Sequence, residues 1–186
     1  LIVPDIPMPQ PPKQKEEIQD KVEGAFKFGF LGAGQGGSRI AEIFHKLGYR
    51  KVAVLNTAQQ DLNTIKIDHK LCIGDGGAGK DPEKARKQFE DKKEDVLDFV
   101  RDSLGDTVDR YFICAGAGGG TGAGTVMPLI ETAAELQKIQ KSSSKKVGVI
   151  LALPKISEGT KVNANAYRIL EDVYGAVESG LVSPLI

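Results

Sequence analysis

Short, continuously apolar segments alternate with longer amphipathic ones along most of this chain. The apolar runs predict strands at 26–32, 51–56, 71–73, 108–115, 145–153 and 181–186. Apolar residues spaced three or four apart predict helices at 38–47, 81 to about 104, 122–140 and about 160–178, with a short helix or turn at 61–65. Because the strands are apolar throughout, helices should cover both faces of the sheet. The pattern predicts an α/β fold with a doubly wound, mostly parallel sheet.

Two of the helices carry more detailed signals. Asp81 is a favourable N-cap residue and Pro82 suits the first helical position, which predicts a single helix from 81 to about 104. Its buried side is predicted to hold Phe89, Val96, Val100 and Leu104. In the helix 38–47, one apolar face is predicted to consist of Ile40, Ile43, Phe44 and Leu47.

The first part of the chain has a different character. Residues 1–12 include five prolines and should be extended. Residues 13–23 are highly charged, with Ile18 and Val22 four positions apart, which predicts a short surface helix. We therefore expect an N-terminal extension over 1–24 and a folded domain over 25–186.

Charge and cysteine content narrow the possible functions. The chain has 25 basic and 25 acidic residues, which argues against binding nucleic acid through bulk positive charge. No apolar run approaches the roughly 20 residues that span a bilayer, so we expect no membrane segment. Cys72 and Cys114 lie in apolar segments and are interpreted as buried thiols rather than a disulfide, which favours a cytoplasmic location. His45 and His69 have no partner at a metal-ligand spacing.

Many of the 22 glycines fall in three loops, each between a predicted strand and a helix. The loops are GAGQGGS at 32–38, GDGGAGKDP at 74–82 and AGAGGGTGAG at 115–124. Glycine lets backbone N–H groups converge on an anion, and a helix N-terminus adds favourable partial charge. The carboxyl ends of parallel strands meet at one edge of the sheet, where ligands bind. Three such loops at one edge predict a polyphosphate site.

A dinucleotide-dependent oxidoreductase is one alternative, because Gly32, Gly34 and Gly37 match G-x-G-x-x-G. That class expects a carboxylate for the ribose at the end of the second strand. Here the strand ends at Asn56 and Thr57, and no acid follows until Asp61. The alternative also leaves the third glycine loop without a role.

The segment Gly118-Gly119-Gly120-Thr121-Gly122, between an apolar strand and a helix, closely resembles the signature of the tubulin and FtsZ superfamily. The resemblance runs from about 26 to 186 and includes the loop 34–38, Asn56-Thr57, the segment 78–82 and the loop 154–159. Within the superfamily, the chain is most similar to the TubZ-type plasmid and phage tubulins.

The resemblance implies a domain that binds GTP or GDP with Mg²⁺, over 25–186. It implies nucleotide contacts at Gly34, Gln35, Gly36, Gly37, Ser38, Asn56, Thr57, Gly79, Lys80, Gly118, Gly119, Gly120, Thr121, Gly122, Glu158 and Lys161. The implied partners are further copies of the chain, in a head-to-tail filament, and an adaptor bound to plasmid or phage DNA. Hydrolysis would be coupled to polymerisation, with acids from the adjacent subunit completing the site.

Several of these residues also have ordinary structural interpretations. Thr121 suits either a phosphate contact or an N-cap, and Lys80 suits either a phosphate contact or a surface position. Glu158 suits either ribose hydroxyls or a carboxylate at a helix start. Gln35 suits either a phosphate or metal contact or a solvated loop.

The chain also departs from the family pattern. Ala58 stands where FtsZ carries Asp, and Val162 where FtsZ carries Arg, with Lys161 as a candidate substitute. In the family, the central helix and the base-reading asparagine follow the strand that ends here at Ile186. We therefore expect a domain truncated before the central helix, with no catalytic residue of its own and no hydrolysis in isolation. A non-catalytic interaction module on the tubulin fold is a further alternative.

Overall fold

One parallel six-stranded sheet organises the domain in the computed structural model, which describes residues 26–142 and 144–186. The strands are β1 Phe28–Ala33, β2 Val52–Asn56, β3 His69–Cys72, β4 Arg110–Gly116, β5 Val147–Ala152 and β6 Val182–Leu185. Their order is β3-β2-β1-β4-β5-β6, and every neighbouring pair is parallel. The predicted fold class is confirmed. The predicted extension 1–24 lies outside the described residues.

Helices cover both faces of this sheet. They are α1 Gly34–Lys46, α2 Gln59–Asn63, α3 Pro82–Glu90, α4 Lys93–Leu104, α5 Thr121–Ile139 and α6 Thr160–Glu178, with a 3-10 turn at Ile156–Glu158. One core lies beneath α3 to α6 and the other beneath α1 and α2. Alternate residues of a strand enter different cores: Leu31 joins the first and Phe30 the second. This two-sided burial explains why the strands have no polar face.

The prediction of one helix over 81–104 is wrong, because α3 ends at Glu90 and α4 begins at Lys93. The residues 90–95 contain no apolar side chain that could hold a continuous helix against the core. Lys92 leaves the helical region, with φ −123° and ψ 23°. The break lets α3 pack against α5 while α4 packs against β2 and β3. The predicted buried residues Phe89, Val96, Val100 and Leu104 are all confirmed.

The predicted apolar face of α1 is only partly buried. Ile40 and Phe44 are half-buried and pack against the core, whereas Ile43 and Leu47 are 56% and 69% exposed. The inner face instead consists of Gly34, Gly37, Ser38, Ala41 and Glu42. Small residues are needed there because the helix lies directly on β4: a Cβ at Gly37 would overlap the Cys114 carbonyl oxygen.

The two cysteines are free, as predicted. Cys114 is fully buried in β4, and this burial raises the pKa of its thiol to about 12. Cys72 is only half-buried at the end of β3, where its Sγ lies 3.2 Å from the Gly74 carbonyl oxygen. Among the helices of the described ranges, none has both the length and the apolar character to cross a bilayer.

Candidate functional site

A cleft of about 670 Å³ lies at the carboxyl ends of β1, β2, β4 and β5. Neighbouring strands β1 and β4 lead into helices on opposite faces of the sheet, since α1 follows β1 and α5 follows β4. The edge between them is therefore the topological switch point, where doubly wound sheets bind ligands. The volume is typical of a small-molecule site.

Most of the predicted nucleotide-binding residues line this cleft. They are Gly34, Gln35, Gly36, Asn56, Thr57, Gly79, Lys80, Gly118, Gly119, Gly120, Thr121, Gly122 and Glu158. Gly37 and Ser38 lie instead beneath the floor, buried between α1 and the sheet. Lys161 is exposed at the start of α6 and does not line the cleft, whereas its neighbour Val162 does.

Adjacent glycines of the first loop, 32–38, have different surroundings. A Cβ at Gly36 would find no atom closer than 3.6 Å, whereas one at Gly37 would overlap β4. Gly34 combines a φ of +67° with close packing, since its Cβ would lie 2.9 Å from the Gly122 nitrogen. Gly34 thus brings the start of α1 against the start of α5, and Gly36 leaves space for a ligand.

The glycines of the third loop, 115–124, also differ in how closely other segments approach them. Gly119 is exposed, and a Cβ there would be 3.9 Å from its nearest neighbour, the Gly116 carbonyl oxygen. At Gly120 a Cβ would meet the Ala78 Cβ at 2.7 Å, and at Gly122 it would meet the Gly116 oxygen at 2.6 Å. Only Gly119 of these three faces open space; Gly120 and Gly122 permit the loops to approach one another.

Two helices begin at the cleft without a side-chain cap. The N-cap residues of α1 and α5 are Ala33 and Gly120, neither of which has a side chain that can accept from the first-turn N–H groups. In α3, by contrast, the Asp81 carboxylate accepts from the N–H groups of Glu83 at 3.0 Å and Lys84 at 3.3 Å. The starts of α1 and α5 therefore offer N–H donors and positive partial charge to an anion, and α3 satisfies its own.

Thr121 is the first residue of α5 and not its N-cap, so the N-cap interpretation is wrong. Its hydroxyl donates to Asn56 Oδ1 at 3.2 Å and lies 2.7 Å from the Thr57 hydroxyl, which therefore donates to it. The Asn56 amide nitrogen donates in turn to Asp61 Oδ2 at 3.2 Å. These buried groups connect the start of α5 to the β2–α2 loop. Both hydroxyl protons and one of the two Asn56 amide protons are used in these bonds, so backbone N–H groups are the main remaining donors of the floor.

Side-chain charge contributes little attraction for an anion. Among the described residues that line the cleft, Lys80 is the only cation, while Asp61 and Glu158 carry negative charge. Glu158 Oε1 accepts from the Lys155 backbone N–H at 2.9 Å, as expected for a carboxylate at a helix start. Helix termini and backbone dipoles must therefore supply most of the positive potential.

Sequence reasoning missed Asn165, which lies in α6 and has no motif around it. Its amide nitrogen donates to the Lys80 carbonyl at 3.2 Å and to the Gly118 carbonyl at 3.4 Å. Val162 was assigned no contact, yet it lines the cleft, where a Cβ at Gly118 would overlap it. An isolated polar residue within a helix gives no signal of such contacts.

The fold is an α/β domain whose switch-point cleft presents two uncapped helix starts, an arrangement suited to an anion. Its strand order is also that of dinucleotide-binding domains, so topology alone does not identify the ligand. Comparison with known families does narrow the class: the tubulin/FtsZ family GTPase domain matches residues 14–184. The chain belongs to the tubulin/FtsZ family. This membership decides against the dinucleotide-dependent oxidoreductase.

Individual relatives agree with this assignment. The tubulin-like protein TubZ of Bacillus cereus is 31% identical over 166 residues, which cover 81% of this chain and 36% of that protein. GDP-bound CetZ1 of Haloferax volcanii is 26% identical, with a TM-score of 0.68 over 78% of this chain and 47% of that one. A GTPγS-bound protofilament of CetZ2 from the same organism is 26% identical, with a TM-score of 0.67 over 80% and 46%. The chain thus spans about a third of the length of the curated relatives it matches.

Proposed function

We propose that the protein binds GTP and GDP in the cleft at the switch point. The proposal rests on the starts of α1 and α5, which lie next to each other and have no side-chain cap. Open space lies above Gly36 and Gly119 at these two helix starts. Such an arrangement suits a polyphosphate held by backbone N–H groups. Two proteins of similar structure, CetZ1 and CetZ2, are bound to GDP and GTPγS respectively. The predicted contact residues that line the cleft are the proposed ligands, and Glu158 would face the ribose.

Magnesium is part of this proposal. Within the described residues, no group of three His, Cys, Asp or Glu side chains could hold a metal by itself. The cleft does contain the carboxylate of Asp61 and the carboxamides of Gln35 and Gln60. Mg²⁺ prefers one or two carboxylates together with phosphate oxygens, so these oxygen donors fit it. When bound, Mg²⁺ would neutralise phosphate charge that Lys80 alone cannot balance.

Hydrolysis is proposed to require a filament. Asp61 and Glu158 are the carboxylates that line the cleft, and each already accepts a hydrogen bond within the chain. Neither is placed by motif to orient a water molecule. Phosphoryl transfer depends mainly on positioning and charge stabilisation, which the two helix starts would provide. Acids of an adjacent subunit would then orient the water, in a head-to-tail arrangement supported by the CetZ2 protofilament.

The cellular role that we propose is segregation or positioning of plasmid or phage DNA through an adaptor. The support is the similarity to TubZ, including a solved TubZ of Clostridium botulinum phage c-st that shares the fold. The balanced charge of the chain favours an adaptor over direct DNA binding. The boundary at residue 24 and the cytoplasmic location remain predictions.

Thermal melts with GTP, ATP and NAD test the ligand first. GTP should raise the melting temperature because it binds only the folded state, and NAD should not. Phosphate release is then measured against protein concentration, for this chain alone and for this chain added to preformed filaments of a TubZ relative. We expect a background rate for the chain alone at every concentration and a higher rate where its cleft meets the acids of a neighbouring subunit. GTP binding without turnover in such mixed filaments would instead favour the non-catalytic interaction module, and stabilisation by NAD but not GTP would overturn the proposal.

A further inference from the structure

The loop 74–80 carries the only cation of the described cleft lining, and much of its backbone has positive φ and open surroundings. Gly76, Gly77, Gly79 and Lys80 all have positive φ. A Cβ at Gly76 or Gly79 would find no atom within 4 Å, so the outer part of the loop packs against nothing. Strained or unpacked backbone keeps one conformation only when other contacts determine it.

Backbone bonds hold the first half of this loop. The N–H groups of Gly76 and Gly77 donate to the Thr57 carbonyl at 3.3 and 2.9 Å, and the Lys84 ammonium donates to the Gly77 carbonyl at 2.9 Å.

The second half of the loop has other anchors. Ala78 is buried against Gly120. The Asn165 amide donates at once to the Lys80 carbonyl and to the Gly118 carbonyl of the neighbouring loop. Asn165 is the anchor that acts on the lysine itself, where φ is +58°.

We propose that Asn165 is a positioning residue for the nucleotide phosphates. By joining the Lys80 and Gly118 carbonyls, it fixes the left-handed backbone at Lys80 and holds the ammonium over the phosphate-facing loop. Asn165 does not itself line the cleft, so it acts through Lys80 and not by touching the ligand. This inference rests on the proposed binding of GTP.

Asn163 provides a matched control. It is the same residue type in the same helix, two positions away, and its amide donates to the Ile156 carbonyl at 3.1 Å and the Gly159 carbonyl at 2.9 Å. It makes no hydrogen bond with the loop 74–80 or with Gly118 among the bonds of the described residues. Loss of Asn163 therefore removes a similar number of hydrogen bonds without releasing Lys80.

The first arm uses hydrogen exchange in the absence of nucleotide, comparing the wild-type chain with Asn165→Ala and Asn163→Ala. The Asp81 amide donates to the Ala78 carbonyl at 3.0 Å, in a bond that spans Lys80. We expect this amide to exchange about five- to twentyfold faster in Asn165→Ala, as loss of one or two hydrogen bonds predicts. In Asn163→Ala it should exchange at the wild-type rate. Wild-type exchange at Asp81 in Asn165→Ala would overturn the proposal whether or not GTP binds.

The second arm measures the affinity for Mg·GTP in Asn165→Ala, Lys80→Ala and the double variant. We expect Asn165→Ala to weaken binding about five- to tenfold and the double variant to be no weaker than Lys80→Ala alone, because Asn165 acts through Lys80. Additive losses, or no loss in Asn165→Ala, would overturn the positioning role. If the wild-type chain binds no GTP, the proposed function fails. The phosphate-positioning role of Asn165 then fails with it. The exchange experiment still shows separately whether Asn165 holds the loop.

Discussion

Glycine is abundant in three loops, but its structural role differs between them. The loops after β1 and β4 form one pair, and the loop after β3 differs from both. In the first pair, Gly37, Gly120 and Gly122 are needed because a Cβ would meet backbone or Cβ atoms of another segment. In the loop 74–80, Gly76 and Gly79 have open space around them but positive φ. The first pair leads into two uncapped helices, and the loop 74–80 leads into α3, which Asp81 caps.

The difference separates two roles. The loops after β1 and β4 form a tightly packed frame whose helix starts offer N–H groups to an anion. The loop 74–80 brings one lysine to that frame. Backbone bonds to Thr57 hold its first half, and the Asn165 side chain holds the lysine end. Glycine content alone does not distinguish the two, because both patterns look the same in the sequence.

The largest effect should come from Gly37→Ala, which places a methyl group against the Cys114 carbonyl oxygen. We expect the free energy of unfolding to fall by about 3 kcal/mol, as for severe overpacking. Gly36→Ala, one residue earlier, should leave stability unchanged or slightly higher, because Ala favours helix. Urea denaturation compares them. Equal losses in both variants would show that the frame is not packed as described.

The next effect should come from Thr121→Val, which removes the hydroxyl between Asn56 and Thr57. The fully buried Thr57 hydroxyl would lose its acceptor, at a cost of about 2 kcal/mol in the free energy of unfolding. Thr121→Ser keeps the hydroxyl and should retain most of the stability. A Val variant as stable as the Ser variant would contradict the hydrogen-bond network.

Gly119→Ala should separate ligand binding from folding. A methyl group there meets no protein atom within 3.9 Å but enters the space above the start of α5. Stability should not change, and GTP affinity should fall at least tenfold, or about 1.4 kcal/mol. Gly175→Ala is the control, since that glycine of α6 also has open space but lies outside the cleft. Unchanged affinity in Gly119→Ala would remove this loop from the site.

The smallest effect concerns Asp81, which caps α3 directly after the loop 74–80. Asp81→Ala should lower the free energy of unfolding by about 1 kcal/mol, because Asp81 accepts from two N–H groups of α3. Asp81→Asn should lose only a few tenths, since Asn caps about as well. Thermal denaturation of the three proteins measures the difference. An Asn variant as unstable as the Ala variant would mean that charge, and not the cap, stabilises α3.

The sequence predicted the parts of this structure that depend on local pattern. All six strands, and the position of the glycine loops at one sheet edge, follow from apolar runs and strand direction. The break between α3 and α4 was missed because it depends on what each segment packs against. The distinction between Gly36 and Gly37 depends on contact with β4, and the bond from Asn165 to Lys80 joins residues 85 positions apart. Local pattern contains neither kind of information.

The most direct test of whether two helix starts hold the phosphates is a titration of ¹⁵N-labelled protein with Mg·GTP. The titration follows the chemical shifts of the backbone amides. The saturating shifts should be largest for amides 34–37 and 119–122, at the starts of α1 and α5, and smaller across 76–80. They should persist in Lys80→Ala at a lower affinity, because the lysine assists a site built from backbone N–H groups. Shifts confined to 76–80, or abolished by Lys80→Ala, would contradict the assignment of phosphate binding to the two uncapped helices.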